Sequence, residues 1–223
     1  TMRLGVSTVT DDAEGDVTGT TDASGIDDAA ILAAMARQTG EIQQVPTAVS
    51  AIKVNGQRAY ARVRAGENVV LQPRAVTVSR FAATETRRHD EVVDVDVEVT
   101  CSSGTYVRAL ARDVGADLGV GGHLTALRRI RIGPFDLTAA CPDIFADDAV
   151  APAPMTMAEA ARLSFPVVEV TDDQEAAIRV GRRVDMTVPA DVTAMIAGTG
   201  EMLALYRPDG ERRGQSRAIC VLV

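Results

Sequence analysis

The chain has 223 residues, of which 46% are hydrophobic and 24% charged, a composition typical of globular proteins. No apolar run reaches the roughly 18 residues that a transmembrane helix needs, and no signal peptide is visible. The three cysteines are widely spaced without a CxxC pair and there are only two histidines, which argues against a disulfide framework or a His-rich metal site and favours a reducing, cytoplasmic location.

The charges are unevenly distributed along the chain. The net charge of −8 by itself argues against a nucleic-acid partner. Residues 31–75, however, carry six basic and two acidic residues, and residues 101–133 carry five and two. Solvated helix faces and phosphate-binding surfaces both fit these basic blocks. All 23 basic residues except Lys53 are arginine, so Lys53 either occupies a place that needs a compact ammonium group or remains by chance.

Three elements are predicted before residue 41. Residues 2–9 alternate weakly and predict a strand. Residues 26–40 predict an amphipathic helix whose apolar face consists of Ile31, Leu32 and Met35. Between them, residues 10–25 are rich in Gly, Asp and Thr and predict a flexible acidic loop, which contains Asp11 and Asp12.

The next segment is basic and then rich in strands. Residues 45–67 predict a short strand, a turn at Asn55-Gly56 and a basic helix. Residues 74–86 and 91–100 predict two antiparallel strands joined by the charged tip TRRHDE. This arrangement predicts a hairpin that follows a positively charged segment.

The segment CSSGTYVRALARDVG, residues 101–115, marks a junction between strand and helix. Apolar residues follow helical spacing from Val107, with Thr105 as the predicted N-cap. Tyr106 and Arg108 then lie where binding groups are common, although a core tyrosine and an ordinary salt bridge are the alternatives. A cation at a helix start is unfavourable by up to about 1 kcal/mol unless an anion is near. The motif therefore predicts an anionic partner for Arg108.

The C-terminal part is expected to form a second domain. Residues 120–137 predict a Gly-rich turn followed by a basic strand, and residues 141–164 predict a connection with a short helix. Short strands separated by turn signals follow and predict a small β-barrel or sandwich. We expect domains at 1–163 and 164–223, the second with a candidate phosphate-binding cluster of Arg207, Arg212, Arg213 and Arg217.

Several blocks, taken in order, resemble a known family. SAIKVNGQRAY, RAG, CSSGTYVRALARDVG and LRR are similar to motifs of the bacterial tRNA pseudouridine-55 synthase (TruB) family, and RLGVSTVTDDAEG resembles its strand and loop before an RNA-binding insertion. The resemblance is strong over residues 2–137. It implies an α+β fold with a mixed, mostly antiparallel sheet and flanking helices, followed by a PUA-like β-barrel. It also implies a monomer that needs no metal or organic cofactor.

The resemblance implies that a uridine in the T arm of tRNA is isomerised to pseudouridine. The base is flipped into a pocket, detaches from the ribose and bonds again through C5. Tyr106 would lie against the uracil and take the C5 proton, while Arg108 would pair with the catalytic carboxylate. Leu127 would form an apolar wall of the pocket, and Arg128 and Arg129 would lie near phosphates.

A further block matches the family's RNA-gripping insertion. It covers residues 46–73, and its basic side chains are candidate substrate or RNA contacts, with solvated surface charges as the alternative: Lys53, Arg58, Arg62 and Arg64. Arg58 and Arg62 are four residues apart, so we expect them on one helix face.

One part of the family pattern has no match in the sequence. The family's catalytic aspartate lies in a Gly-Thr-Leu-Asp-Pro type motif, which is missing here. We therefore expect the chain to begin inside a larger protein, with the nucleophile before Thr1. A non-catalytic tRNA-binding or RNA-folding module is the alternative function. A metabolic enzyme is disfavoured because the sequence lacks a phosphate loop, a dinucleotide fingerprint and a nucleophile elbow.

Overall fold

The computed structural model describes residues 1–47, 71–140 and 153–222, and the backbone of residues 53–54 and 57–58. The chain divides into two units, residues 1–128 and 129–223. Both units combine helices with mostly antiparallel strands, so the predicted α+β class is confirmed. None of the helices in these ranges is long and apolar enough to cross a membrane.

The first unit is built on a five-stranded sheet. In chain order its elements are β1 (Met2–Leu4), β2 (Val6–Thr8), β3 (Val17–Thr20), α1 (Asp28–Arg37), β4 (Gly40–Gln44), β5 (Lys53–Val54), β6 (Gln57–Arg58), β7 (Arg74–His89), β8 (Val92–Cys101), α2 (Val107–Asp117) and β9 (Gly122–Leu124). The sheet has the strand order β4-β7-β8-β1-β9, and each neighbouring pair is antiparallel. Strands β2 and β3 form a separate hairpin, in which β2 lies in the segment predicted as a strand and β3 in the segment predicted as a loop.

Helix α1 begins at a capped position and buries one face. The Asp27 side chain accepts a hydrogen bond from the Ala30 N–H and so satisfies one of the unpaired donors of the first turn. Ile31 and Met35 are buried as predicted, but Leu32 is 53% exposed and Ala34 takes its place. Positions 31, 34 and 35 share one face at helical spacing. They pack on a core that includes Met2, Leu4, Val93, Val95 and Val114.

The β7-β8 hairpin is longer than predicted. Its strands pair as far as His89 and Val92, so the connection consists of Asp90 and Glu91, with Asp90 at a φ of 47°. Arg87, which was expected at the tip, lies in the strand and donates to the Asp96 carboxylate across the hairpin at 2.6 and 2.9 Å, a cross-strand pair that stabilises the sheet.

Helix α2 follows β8 through a tight turn and packs directly on β9. It begins at Val107 as predicted, but the N-cap is Tyr106 without a side-chain bond. The predicted cap, Thr105, instead donates its hydroxyl to the Ser102 carbonyl at 2.9 Å. A Cβ atom at Gly115 would lie 2.2 Å from the carbonyl carbon of Gly121. Glycine at 115 therefore permits the direct backbone contact that sets the position of the helix on the sheet.

The second unit contains a hairpin and a four-stranded sheet. Its elements are β10 (Arg131–Ile132), β11 (Phe135–Asp136), a 3₁₀ turn (Leu137–Ala139), α3 (Met157–Ser164), β12 (Val167–Glu169), α4 (Asp172–Arg179), β13 (Thr193–Ile196), β14 (Met202–Pro208) and β15 (Ser216–Val221). The single basic strand predicted within residues 120–137 is wrong, because that segment contains β9 and the β10-β11 hairpin.

Helix α3 belongs with the C-terminal sheet. Strands β12, β13, β14 and β15 are adjacent in that order, with β12 and β13 parallel. Ala158 and Ala161 of α3 pack in one cluster with Ala194 and Ile196 of β13. The predicted domain boundary between residues 163 and 164 therefore falls inside α3. The PUA-like barrel stays a prediction for this unit.

Candidate active site at the start of helix α2

The loop after β2 meets the first turn of α2 through an ion pair. Arg108 donates from Nη1 to Asp12 Oδ2 at 2.5 Å and to the Thr10 carbonyl at 3.3 Å. Asp12 also accepts the Thr10 hydroxyl and, at 3.1 Å, the Glu14 N–H. The loose acidic loop predicted from composition is thus wrong for these residues. The anion that Arg108 contacts is Asp12, a residue of this chain.

The environment of Asp12 favours its ionised form. Partial burial by itself would raise the pKa of the Asp12 carboxyl, but hydrogen bonds from Thr10, Arg108 and Glu14 outweigh it and lower the pKa below its ordinary value. Asp12 is therefore an anion at neutral pH. Its charge, in turn, orients the Arg108 guanidinium at the N-terminus of α2.

A second aspartate–arginine pair lies one helical turn further. Arg112 Nη1 is 3.3 Å from Asp11 Oδ2, and the same guanidinium donates to Asp113 at 2.8 Å and to the Val45 carbonyl at 2.7 Å. Asp11 is only 9% exposed, and its φ of 58° is uncommon outside glycine. Burial raises the pKa of Asp11 and of Asp113, and Arg112 offsets this effect only in part.

Strand β9 holds the loop against the helix. The Leu124 N–H donates to the Asp11 carbonyl at 3.0 Å, and Asp12 forms a parallel bridge with Leu124. Gly115 also lets α2 pack directly on the backbone at the start of β9. Strand β9 therefore holds both the loop and helix α2 in place. The separation of Asp12 and Arg108 is therefore set by the sheet.

Tyr106 precedes Arg108 by two residues, and its backbone is held by the side chain of Gln44. The Tyr106 N–H donates to Gln44 Oε1 at 2.8 Å, and Gln44 Nε2 donates to the Tyr106 carbonyl at 3.1 Å. Gln44 is buried, whereas Tyr106 is half-buried. The structure adds Asp12 as a partner of Arg108 and Gln44 as a partner of the Tyr106 backbone, while the catalytic roles of Tyr106 and Arg108 stay predictions.

The other predicted site residues are less closely defined. Leu127 is 65% exposed, three residues after Leu124, so it is not a fully enclosed pocket wall, and its contact with the base stays a prediction. Arg128 and Arg129 are exposed, as expected for phosphate contacts. The four arginines proposed for the C-terminal cluster are also exposed, and Arg207 lies opposite Arg217 in the β14-β15 pair.

The basic insertion is described in part. Lys53 pairs with Arg58 in the backbone of the β5-β6 hairpin, which flanks the predicted turn. The prediction that Arg58 and Arg62 share a helix face is wrong for Arg58, because it lies in β6. Arg62 and Arg64 lie outside the described residues. Their proposed contacts with RNA stay predictions.

Sequence reasoning missed three residues of this site. Asp11 and Asp12 are adjacent, and Arg108 and Arg112 are four apart, so the spacing already permitted two parallel ion pairs. Gln44 carried no such signal, because a glutamine at a strand end is ordinary. Within the ranges that the structure describes, no three His, Cys, Asp or Glu side chains group as a metal site.

Two family models match consecutive segments of the chain, which together cover residues 1–144. Residues 1–107 match the N-terminal domain of the TruB family pseudouridylate synthases, and residues 108–144 match the tRNA pseudouridylate synthase B C-terminal domain. The chain is 82% identical over 223 residues to tRNA pseudouridine synthase B of Cutibacterium acnes, covering all of the chain and 76% of that protein. It is 49% identical over 215 residues to the Corynebacterium aurimucosum protein of the same name, covering 95% and 71%.

Solved structures show the same fold at low identity. The chain superposes on a chain of a Cbf5-Nop10-Gar1 complex with a TM-score of 0.56 and 22% identity, covering 100% of this chain and 64% of the other. For an H/ACA RNP bound to a substrate RNA containing 2'-deoxyuridine the TM-score is 0.54 and the identity 20%, with 99% and 63% covered. The chain thus spans slightly less than two thirds of these solved chains.

Proposed function

The chain belongs to the TruB family of pseudouridylate synthases, and we propose that it isomerises uridine to pseudouridine in tRNA, at a uridine of the T arm. The observation that carries the proposal is the Asp12–Arg108 ion pair next to Tyr106. Asp12 and Arg108 come from the loop and the helix start that resemble family motifs, and the fold brings these two side chains within hydrogen-bonding distance across 96 positions of sequence.

The reaction moves one bond and one proton. The bond between N1 and the ribose C1′ breaks, the uracil turns, a bond between C5 and C1′ forms, and the C5 proton is lost while N1 gains one. Atoms and electrons balance without an oxidant or a reductant. We propose that the Tyr106 hydroxyl accepts the C5 proton, because Tyr106 is half-buried at the helix start and can contact a flipped base.

Arg108 is assigned an electrostatic role. Asp12 orients its guanidinium, which can then stabilise a second carboxylate, the nucleophile of the family's Gly-Thr-Leu-Asp-Pro type motif. Asp12 is a poor nucleophile itself, because Thr10, Glu14 and Arg108 already donate to it. Asp11 is unsuitable because it is buried and faces Arg112.

Binding of the tRNA is assigned to exposed basic residues. We propose that Arg128 and Arg129 and the insertion around Lys53 contact phosphates, and that Leu127 offers an apolar surface to the flipped base. Arg207, Arg212, Arg213 and Arg217, in β14, β15 and the turn between them, would provide a second contact with phosphates. We further propose a monomeric protein that works in the cytoplasm.

The proposal is tested with the full gene product and a tRNA transcript tritiated at uridine C5. Isomerisation releases this tritium to water, so we expect release of one equivalent per transcript. A transcript with cytidine at the T-arm target serves as the control. Binding that weakens steeply with salt but releases no tritium would favour the non-catalytic RNA-binding module instead.

A further inference from the structure

Gln44 makes an unusual contact with the residue that precedes α2. Its side-chain amide accepts from the Tyr106 N–H at 2.8 Å and donates to the Tyr106 carbonyl at 3.1 Å. Both polar groups of one backbone residue are thus bound by one side chain 62 positions away. We propose that Gln44 is a positioning residue that holds Tyr106 in its catalytic place; this inference rests on the proposed function.

The geometry calls for a carboxamide at position 44. A carboxylate only accepts and a guanidinium or ammonium only donates, whereas glutamine presents an acceptor and a donor in one plane. The amide can therefore bond to the N–H and the carbonyl of one backbone residue, as the backbone of a neighbouring β-strand does. Only one orientation of the amide forms both bonds, so the contacts also decide which atom of Gln44 is the oxygen.

The start of α2 needs such a partner because it lacks a local one. The side chain of the N-cap residue, Tyr106, makes no capping hydrogen bond, and the predicted cap, Thr105, is bonded to Ser102. The Tyr106 carbonyl accepts from the Leu110 N–H only at 3.3 Å. Without Gln44, the Tyr106 N–H would lose its protein acceptor, and the helix start would fray as unsupported termini do.

Gln44 is itself firmly placed. It is 2% exposed and ends β4, where it pairs with Arg74 of β7. The next residue, Val45, is bound through its carbonyl to Arg112 of α2 at 2.7 Å. The Gln44 side chain therefore fixes the Tyr106 backbone relative to the edge strand of the sheet. This matters because a displacement of about 1 Å in a catalytic group can lower the rate roughly 10²-fold.

Gln44→Met tests the inference, because methionine has a similar length but forms neither bond. We expect the single-turnover rate constant of the full gene product to fall about tenfold or more, with the Kd for tRNA changed less than about threefold. Val93→Ala is the matched control. Val93 is fully buried at the opposite end of β8 from α2, so this change destabilises the core of the first unit without removing a contact of Tyr106.

A spectroscopic measurement reads the position of Tyr106 directly. Fluorine NMR of the full gene product labelled with fluorotyrosine gives a signal for each tyrosine, and the signal that is lost in Tyr106→Phe belongs to Tyr106. Gln44→Met should shift or broaden the Tyr106 signal. It should leave Tyr206 unchanged, since that residue is buried in the second unit and bonded to the Arg182 carbonyl.

The outcomes separate the two proposals. An unmoved Tyr106 signal together with an unchanged rate constant would overturn the role of Gln44, as would an equal loss of rate in Val93→Ala. If Gln44→Met fails to fold, Gln44→Asn replaces it, since the amide is kept but is one methylene too short, and the same shift is expected. A moved Tyr106 signal in a protein whose wild type releases no tritium would support the positioning and contradict the proposed function.

Discussion

Two arginines one turn apart on α2 face two consecutive aspartates, and the pairs behave in opposite ways. Asp12, the partner of Arg108, accepts hydrogen bonds from three donors, and these lower the pKa of its carboxyl. Arg112 is shared between Asp11 and Asp113, both largely removed from water, and the pKa of each is raised. The sign of the shift depends on the number of donors set against the loss of hydration, and the presence of an arginine alone does not decide it.

The largest expected effect is the loss of catalytic rate on removal of Arg108. Arg108→Ala should lower the single-turnover rate of uridine isomerisation by about 10³-fold, because it removes the charge that orients and stabilises the catalytic carboxylate. Arg37→Ala is the control: Arg37 is an exposed arginine of α1 that pairs with Asp117 at the far end of α2, and its loss should leave the rate near the wild-type value. An Arg108→Ala protein within tenfold of wild type would remove Arg108 from the mechanism.

The second effect concerns the partner of Arg108. Asp12→Asn keeps the size of the side chain but removes its charge, so Arg108 loses its orientation and the rate should fall by about 10²-fold with little change in the Kd for tRNA. Asp16→Asn, an exposed change in the same loop, should have no such effect. Equal rates in the two variants would show that the Asp12–Arg108 pair is not used in catalysis.

The third effect is on stability. Arg112→Gln leaves Asp11 and Asp113 without their cation, and we expect the free energy of unfolding to fall by about 1–3 kcal/mol. The rate should fall far less than in Arg108→Ala. Denaturant unfolding measures the loss, and adding Asp11→Asn should restore part of it because the two residues interact directly. Strict additivity of the two changes would contradict the pairing.

The smallest effect is a pH dependence of opposite sign at the two aspartates. Because the folded-state pKa of Asp11 is raised, its ionisation costs stability as the pH rises from the ordinary value of 3.8 through the raised value. Asp11→Asn should therefore gain up to about 0.5 kcal/mol near neutral pH and nothing below the ordinary pKa. Asparagine also tolerates the positive φ.

Asp12 should show the reverse pattern. Its lowered pKa contributes stability that is present above the ordinary value and lost as the pH falls through the folded-state value. Asp12→Asn should thus be less stable than wild type at neutral pH, and the difference should shrink in acid. Urea unfolding at several pH values measures both variants. Curves of the same sign would contradict the contrast between the two pairs.

Local patterns predicted most elements and half of the site. The helical spacing from Val107 placed α2, and the cation at its start predicted an anionic partner for Arg108, for which the family resemblance suggested a carboxylate before Thr1 and the structure shows Asp12. Errors arose where several local solutions compete. Leu32 and Ala34 belong to two overlapping faces of α1, either of which could be buried. The position of the sheet decides that Ala34 is buried and Leu32 exposed. Thr105 is a good cap by type, but the turn uses its hydroxyl for Ser102.

The family motifs, the amphipathic helices and the alternating strands follow from residues close together in sequence, because side-chain periodicity is a local property. The identity of the partners followed only from the tertiary structure. Asp12 lies 96 positions from Arg108 and Gln44 lies 62 from Tyr106, and no local pattern encodes such distances. Whether a carboxylate is stabilised or penalised depends on the donors and the burial that the fold assembles around it, and this is why Asp11 and Asp12, neighbours in sequence, differ.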